Sequence, residues 1–189
     1  MTPESGHVAW VRGHNGRGRT SLLRMLAGLA LPAEGQITWG GVCLRRAGSA
    51  YLRNLTCVAH VNAIKEDLSA LESLGFLARL HGQQAGRPTL ETALRRLGLH
   101  SRRDAPVRTL SQGQRRRVAL ARLAVEPVKP LCILDEPFDA LDAEGLATMG
   151  SLIEAQAQRG GGVVLTSHQA PPLTHVEPIS VQLEGFKPP

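Results

Sequence analysis

Apolar residues follow two rhythms along this chain. His7-Val8-Ala9-Trp10-Val11-Arg12, Leu55-Thr56-Cys57-Val58-Ala59-His60, Leu131-Cys132-Ile133-Leu134 and Gly162-Val163-Val164-Leu165-Thr166 are short, nearly unbroken runs, the form of strands buried on both faces of a parallel sheet. Between them apolar side chains recur at helical steps. Leu22, Leu23, Leu26 and Leu29 make one such set, Leu71, Leu74, Leu77 and Leu80 a second, and Leu90, Leu94 and Leu97 a third. Leu146, Met149, Leu152, Ile153 and Ala157 make a fourth, each marking one face of a helix. Alternation of the two rhythms predicts an α/β fold with a mainly parallel sheet.

Glycine and proline set the punctuation. Gly28 and Pro32 stop the first helix, Gly82, Gly86 and Pro88 mark a loop, Gly98 ends the third set, and Gly160-Gly161-Gly162 close the fourth. Gly40-Gly41 sits between two short strand-like runs in Glu34–Leu44, which predicts a β-hairpin. The stretch from Leu68 to Leu110 is helical in pattern, and a further helix is expected from Gly113 to Ala124. In that last helix Val118, Leu120, Ala121 and Leu123 are the apolar positions and the arginines take the other side. Pro171, Pro172 and Pro178 precede a final strand over Ile179–Leu183.

Composition narrows the picture. With 189 residues the chain can bury a real core, and at 3% aromatic content leucine, valine and alanine must fill it. Lys and Arg exceed Asp and Glu by 22 to 16, a net charge of +6, a balance that suits nucleic acid, an anionic membrane face or an acidic partner. The basic residues, however, lie in small clusters such as Arg102-Arg103 and Arg115-Arg116-Arg117, with no aromatic residues interleaved; they read as solvated helix faces and not as a nucleic-acid surface. Cys43, Cys57 and Cys132 are odd in number and lack metal-type spacing. Neither a signal segment nor an apolar span of membrane length is present in the sequence.

Two stretches carry chemistry. Gly13-His14-Asn15-Gly16-Arg17-Gly18-Arg19-Thr20-Ser21 stands between the first strand and the first helix, where glycines let backbone amides fold into an anion nest and the helix adds the positive end of its dipole. This follows the phosphate-loop pattern GxxxxGK[ST] except that Arg19 replaces lysine; Thr20 is placed to ligate magnesium. The second stretch ends the Leu131–Leu134 run with Asp135 and Glu136, at the strand edge where α/β sheets bind ligands. One carboxylate suits a magnesium ion and the other an attacking water, so the chemistry suggested is phosphoryl transfer to water. Singly, Ser111 reads equally well as a helix cap, and Asp135 with Glu136 as solvated loop acids.

Taken together, these residues show a resemblance. Leu110-Ser111-Gln112-Gly113-Gln114 resembles the signature motif of ATP-binding cassette (ABC) proteins, and the LCILDEP run from Leu131 to Pro137 resembles their Walker B strand with its catalytic glutamate. Phe138-Asp139-Ala140-Leu141-Asp142 is similar to the loop that follows, with Asp142 at the D-loop position. The TSLLRMLAGLALPAEGQITWGG run from Thr20, Tyr51-Leu52-Arg53-Asn54, the IKEDLSALESLGF run from Ile64 and the TSHQ run from Thr166 are similar to the ATP-binding subunits of the bacterial heme exporter for cytochrome c maturation. The resemblance covers nearly the whole chain from Trp10 onward.

It implies a P-loop NTPase fold of the ABC-ATPase type, one domain over residues 1–189 with a small β-hairpin region and a short helical subdomain over about residues 66–123. The implied cofactors are ATP and Mg²⁺. Thr20 and Asp135 would hold the metal, and Gly13, His14, Asn15, Gly16, Arg17, Gly18, Arg19, Thr20 and Ser21 the nucleotide. Ser111, Gly113, Gln114 and Asp142 would reach a second copy's nucleotide in a head-to-tail homodimer. Glu136 would be the general base and His168 the switch histidine at the γ-phosphate. Integral membrane subunits are the implied partners, at the cytoplasmic face of the inner membrane, with no direct heme binding and no nucleic acid. Three departures stand out: Arg19 for lysine, Val61 where the family has a glutamine (with His60 beside it), and an N-terminus too short for the family's first strands and adenine-stacking aromatic, so that those strands read as truncated. Three readings stay open: an active ATPase motor, a nucleotide-binding assembly subunit of low activity, and a soluble nucleic-acid-associated ABC protein supported only by net charge.

Overall fold

The computed structural model describes residues 6–14, 18–60, 62 and 64–183. The chain forms two compact units, one from Met1–Ala59, Val128–Glu136 and Glu154–Pro189, the other from His60–Pro127 and Pro137–Ile153.

The first unit is built on five strands: β1 (Val8–Arg12), β4 (Leu55–Val58), β5 (Leu131–Leu134), β6 (Gly162–Thr166) and β7 (Ile179–Gln182), with β2 (Thr38–Trp39) and β3 (Val42–Cys43) forming a separate hairpin. Spatial order in the sheet is β4-β5-β6-β1-β7, and each neighbouring pair is parallel. The unbroken apolar runs are explained by burial on both faces. Ala9, Val11, Leu131, Ile133 and Val164 pack with Leu23, Ala27 and Tyr51 on one face. The alternate residues Val8, Cys132, Leu134, Val163 and Leu165 are buried as well. Each fully buried Val, Leu or Ile stabilises the sheet by about 1.5–3 kcal/mol.

Helix α1 (Arg19–Leu26) starts from Gly18, which takes a left-handed conformation at φ 87° and offers no side-chain cap. It ends earlier than the leucine spacing predicts. Gly28 adopts φ 73°, its amide donates to the Met25 carbonyl, and the Leu29 amide donates to Arg24, a Schellman closure. Leu29 therefore lies beyond the helix and is 68% exposed.

The hairpin is as expected. Gly40 and Gly41, at φ 54° and 80°, turn the chain between Trp39 and Val42, as a tight two-residue turn requires. The next element is one that the sequence pattern does not announce. Helix α2 (Leu44–Arg53) contains a break at Gly48, so no unbroken helical period runs through it. It delivers Tyr51 to the core, where the hydroxyl donates to the Leu26 carbonyl and the ring meets Trp39 edge-on at 5.5 Å. Burial, with the Cys57 thiol adding to it, pushes the Tyr51 pKa up to about 12.

The second unit holds α3 (Ala70–Leu80), α4 (Arg87–Arg96) and α5 (Gln112–Ala121); α6 (Ala143–Gln158) begins in it. Leu71, Leu74, Leu77, Leu90, Leu94 and Leu97 are buried as the spacing predicts, whereas Leu80 is 64% exposed. Steps of three residues lag a helix by about 60° each, so a fourth leucine in such a series faces away from the first. The expectation that the α5 arginines form a solvated face is corrected at Arg116, which is 4% exposed. Its guanidinium Nη1 donates to the His60 carbonyl at 3.3 Å and to the Asn62 side chain at 3.1 Å. Arg122, just past the helix and 7% exposed, pairs with Glu126 at 3.0 Å. A buried cation needs a polar partner; Arg116 finds it in hydrogen bonds and Arg122 in an ion pair.

Candidate functional site

Three strand ends of the first unit converge. β1 leads through Gly13 and His14 toward α1, β5 ends at Asp135-Glu136, and β6 ends at Thr166-Ser167-His168. Asn15, Gly16 and Arg17 lie outside the described residues, as does Val61. Thr20, in the first turn of α1, donates from Oγ1 to Asp135 Oδ2 at 3.1 Å. An oxygen pair of this kind, a hydroxyl beside a carboxylate, fits the hard-cation chemistry of Mg²⁺. Asp135 and Glu136 are 5% and 7% exposed, which corrects their reading as solvated loop acids.

Glu136 carries two features. Its backbone is left-handed, φ 48°, a conformation that costs a side-chain-bearing residue about 1–3 kcal/mol and tends to occur at functional sites. Its carboxylate Oε1 meets Arg19 Nη1 at 2.9 Å and His168 Nε2 at 3.4 Å, and Arg19 Nη2 lies 3.3 Å from His168 Nδ1. The phosphate-loop arginine, the acid after β5 and the histidine after β6 thus form one charged cluster. An ammonium has no planar fork with which to bridge two acceptors in this way. His168 is half exposed, open to a ligand. Ser21 is exposed on α1.

In the second unit Ser111 caps α5: its hydroxyl accepts from the Gln114 amide at 3.2 Å while the Gln114 side chain accepts from the Ser111 amide at 3.0 Å. Gly113 is required here by close approach. A Cβ on it would stand 2.5 Å from the Ala140 carbonyl oxygen, so the signature glycine lets the loop before α6 pass over the helix start. Asp142 caps α6 through Gly145 N at 2.9 Å and pairs with Arg117 at 2.8 Å. The Gly145 amide, opposed by desolvation and aided by the Arg117 charge, holds its carboxyl below the usual carboxylate range. His60 is exposed, with its ring 3.9 Å from the Asp139 carboxylate.

Sequence reasoning passed over Thr166, which is fully buried and bonded to both Asp135 and Glu136, and the tie from Trp10 Nε1 to the Ser167 carbonyl at 3.1 Å. The one local signal for Thr166 was a hydroxyl closing an otherwise apolar strand. Among the described residues no cluster of His, Cys, Asp or Glu forms a metal site by itself, and no helix is long and apolar enough to cross a membrane.

An all-parallel sheet that gathers a glycine-led helix start, a Thr–Asp pair and a Glu–His pair at one edge defines an α/β protein of the P-loop NTPase class. The ABC transporter family pattern matches residues 1–139, and the chain belongs to that family of ATPases. It is 43% identical over 170 residues to the cytochrome c biogenesis ATP-binding export protein CcmA of Methylococcus capsulatus, covering 90% of this chain and 82% of that one. It is 47% identical to CcmA 2 of Cupriavidus metallidurans over 88% of this chain and 79% of that one. Among solved structures, a putative ABC transporter ATP-binding protein from Pyrococcus furiosus superposes with a TM-score of 0.80 at 25% identity, over 97% of this chain and 87% of that one. A dimeric ATP-binding cassette in a post-hydrolysis state with ADP and Pi shares the fold, with a TM-score of 0.75 at 22% identity over 89% of this chain and 78% of that one.

Proposed function

We propose that this chain is the ATP-hydrolysing subunit of an exporter serving cytochrome c biogenesis. It works as a homodimer, peripheral to the cytoplasmic face of the inner membrane and bound to integral membrane subunits. The observation that carries the hydrolytic reading is the convergence of Arg19, Thr20, Asp135, Glu136 and His168 within 3.4 Å contacts at one sheet edge. Its relatives' role in cytochrome c biogenesis supports heme as the cargo, handled by the membrane subunits and not by this chain.

In this reading the backbone from Gly13 to Gly18 and the Arg19 guanidinium bind the phosphates of ATP. Thr20 and Asp135 hold Mg²⁺, which when bound offsets phosphate charge. Glu136 accepts the proton of the attacking water, and His168 orients the γ-phosphate. Ser111, Gly113 and Gln114 of the second copy close the site over that phosphate, with Asp142 beside them at the interface.

A second reading, an assembly subunit that binds nucleotide and hydrolyses it weakly, is favoured by the Arg19–Glu136 pair, because the arginine competes with water for the base. Steady-state Mg-ATP hydrolysis by the wild type, Glu136→Gln and Arg19→Lys separates the two. We expect wild-type turnover that falls about 10²–10⁴-fold in Glu136→Gln. A wild type at the Glu136→Gln background, with turnover appearing in Arg19→Lys, selects the second reading.

A further inference from the structure

We propose that Thr166 is a positioning residue that sets both carboxylates of the site through one hydroxyl. The inference deepens the hydrolytic reading above and rests on it for the roles of Asp135 and Glu136. Thr166 closes β6 and is 0% exposed. Its Oγ1 donates to Asp135 Oδ1 at 2.7 Å and accepts from the Glu136 amide at 2.9 Å. One buried oxygen thus spans two consecutive residues of the neighbouring strand end.

The two bonds act on different atoms. Asp135 Oδ1 is engaged by Thr166 while Oδ2 meets Thr20, so rotation of the carboxylate about its own axis is arrested and Oδ2 is kept on the α1 side. The Asp135 amide is anchored separately, donating to the Val58 carbonyl of β4 at 2.9 Å. At Glu136 the bond is to the backbone of a residue at φ 48°. A left-handed backbone persists only where its surroundings over-determine it, and a hydrogen bond from its own amide to a buried hydroxyl is such a constraint. The peptide orientation then directs the Glu136 side chain toward Arg19 and His168.

The chemistry requires a hydroxyl at this position. Valine has nearly the same shape but can neither donate to a carboxylate nor accept from an amide, and serine does both with one methyl fewer. Parallel register makes the contact available, since Leu165 pairs with Leu134 and the next residue on each strand is Thr166 and Asp135. A hydroxyl that merely satisfied itself in the core would need one of these bonds, not both.

The test compares wild type, Thr166→Val and Thr166→Ser in the full chain, with Thr166→Ala as a second hydroxyl-free variant should the valine fail to fold. Two readouts are taken: kcat and KM for Mg-ATP hydrolysis, and the gain in affinity for a fluorescent ATP analogue on adding Mg²⁺ to EDTA-treated protein. In Thr166→Val we expect kcat to fall about 10–100-fold with KM within about threefold, and the Mg²⁺-dependent gain to shrink about tenfold, the range seen when a group supporting a metal ligand is removed. Thr166→Ser should recover both losses to within about threefold, since it keeps the same two bonds. Wild-type values of both readouts in a folded hydroxyl-free variant overturn the proposal, as does a serine variant as impaired as the valine. If the wild type hydrolyses no ATP, the hydrolytic reading fails by itself, and the Mg²⁺-dependent gain still decides the role of Thr166.

Discussion

Two helices of the second unit begin with the same device and differ in one atom's worth of chemistry. At α3 the Ser69 hydroxyl accepts from the Glu72 amide, and the Glu72 carboxylate reaches back to the Ser69 amide at 2.8 Å. At α5 Ser111 and Gln114 repeat the box, but the reaching group is a neutral amide. The first turn of α3 therefore carries its own anion, which complements the helix dipole. That of α5 has no acidic residue, so its positive end stays uncompensated, as a site for an external phosphate demands. The start of α1 is barer still, with no side-chain cap and no acid. The same local rule thus makes a structural terminus in one place and an anion-receptive one in another, and the choice between glutamate and glutamine decides which.

The largest test of this contrast is Gln114→Glu, which turns the α5 start into a copy of the α3 start. We expect the folded protein to gain about 0.3–1 kcal/mol from the added charge near the dipole, while on the proposed reading Mg-ATP hydrolysis falls about 100-fold as a negative charge is placed where the γ-phosphate would bind. Stability rising as activity falls would set the two roles apart; parallel changes would merge them. Gly113→Ala comes next, because the 2.5 Å approach to Ala140 O leaves no room for a methyl group. Chemical denaturation should show a loss of about 1–3 kcal/mol, whereas a neutral result would mean that the loop yields.

Ser69→Ala and Ser111→Ala should each cost about 1 kcal/mol in the same denaturation assay. Hydrolysis should be kept in the first and lost in the second, and equal activities would break the contrast. The smallest effect concerns pH. The Ser69 amide, and then its hydroxyl, hold the Glu72 carboxyl below its usual value. A depressed folded pKa adds stability that is present above the unfolded pKa and is lost as pH falls through the folded one. Thermal melts of Glu72→Gln should therefore show a shallower loss of Tm on acidification than the wild type, and unchanged slopes would remove Glu72 from the account.

Much of the candidate site is legible in the chain. Gly18, Thr20, Asp135, Glu136 and Ser111 announce themselves because each sits where an element starts or stops, and those boundaries are written in local residue type. Arg19 was legible as a departure from lysine, but its bridge to Glu136 and His168 was not. Leu29 and Leu80 are exposed although their spacing predicts a packed face, for a related reason: leucine spacing marks a face without stating where the helix ends or how far the face drifts. Helix α2 shows no helical period because Gly48 breaks it, and Arg116 is buried although its polarity predicts exposure.

By itself the sequence determined the order of the strands and of the helices other than α2, the glycine loop, the acid pair and the caps, since propensity, periodicity and capping act over a few residues. Only the tertiary structure decided that β5 lies beside β6, with β1 on β6's other side. That order brings Thr20 to Asp135 across 115 residues and Thr166 to Asp135 across 31. It also decided which arginines could be buried. Pairings between distant strands, and the partners that make a buried charge tolerable, depend on what the whole chain packs against, and no local pattern encodes them.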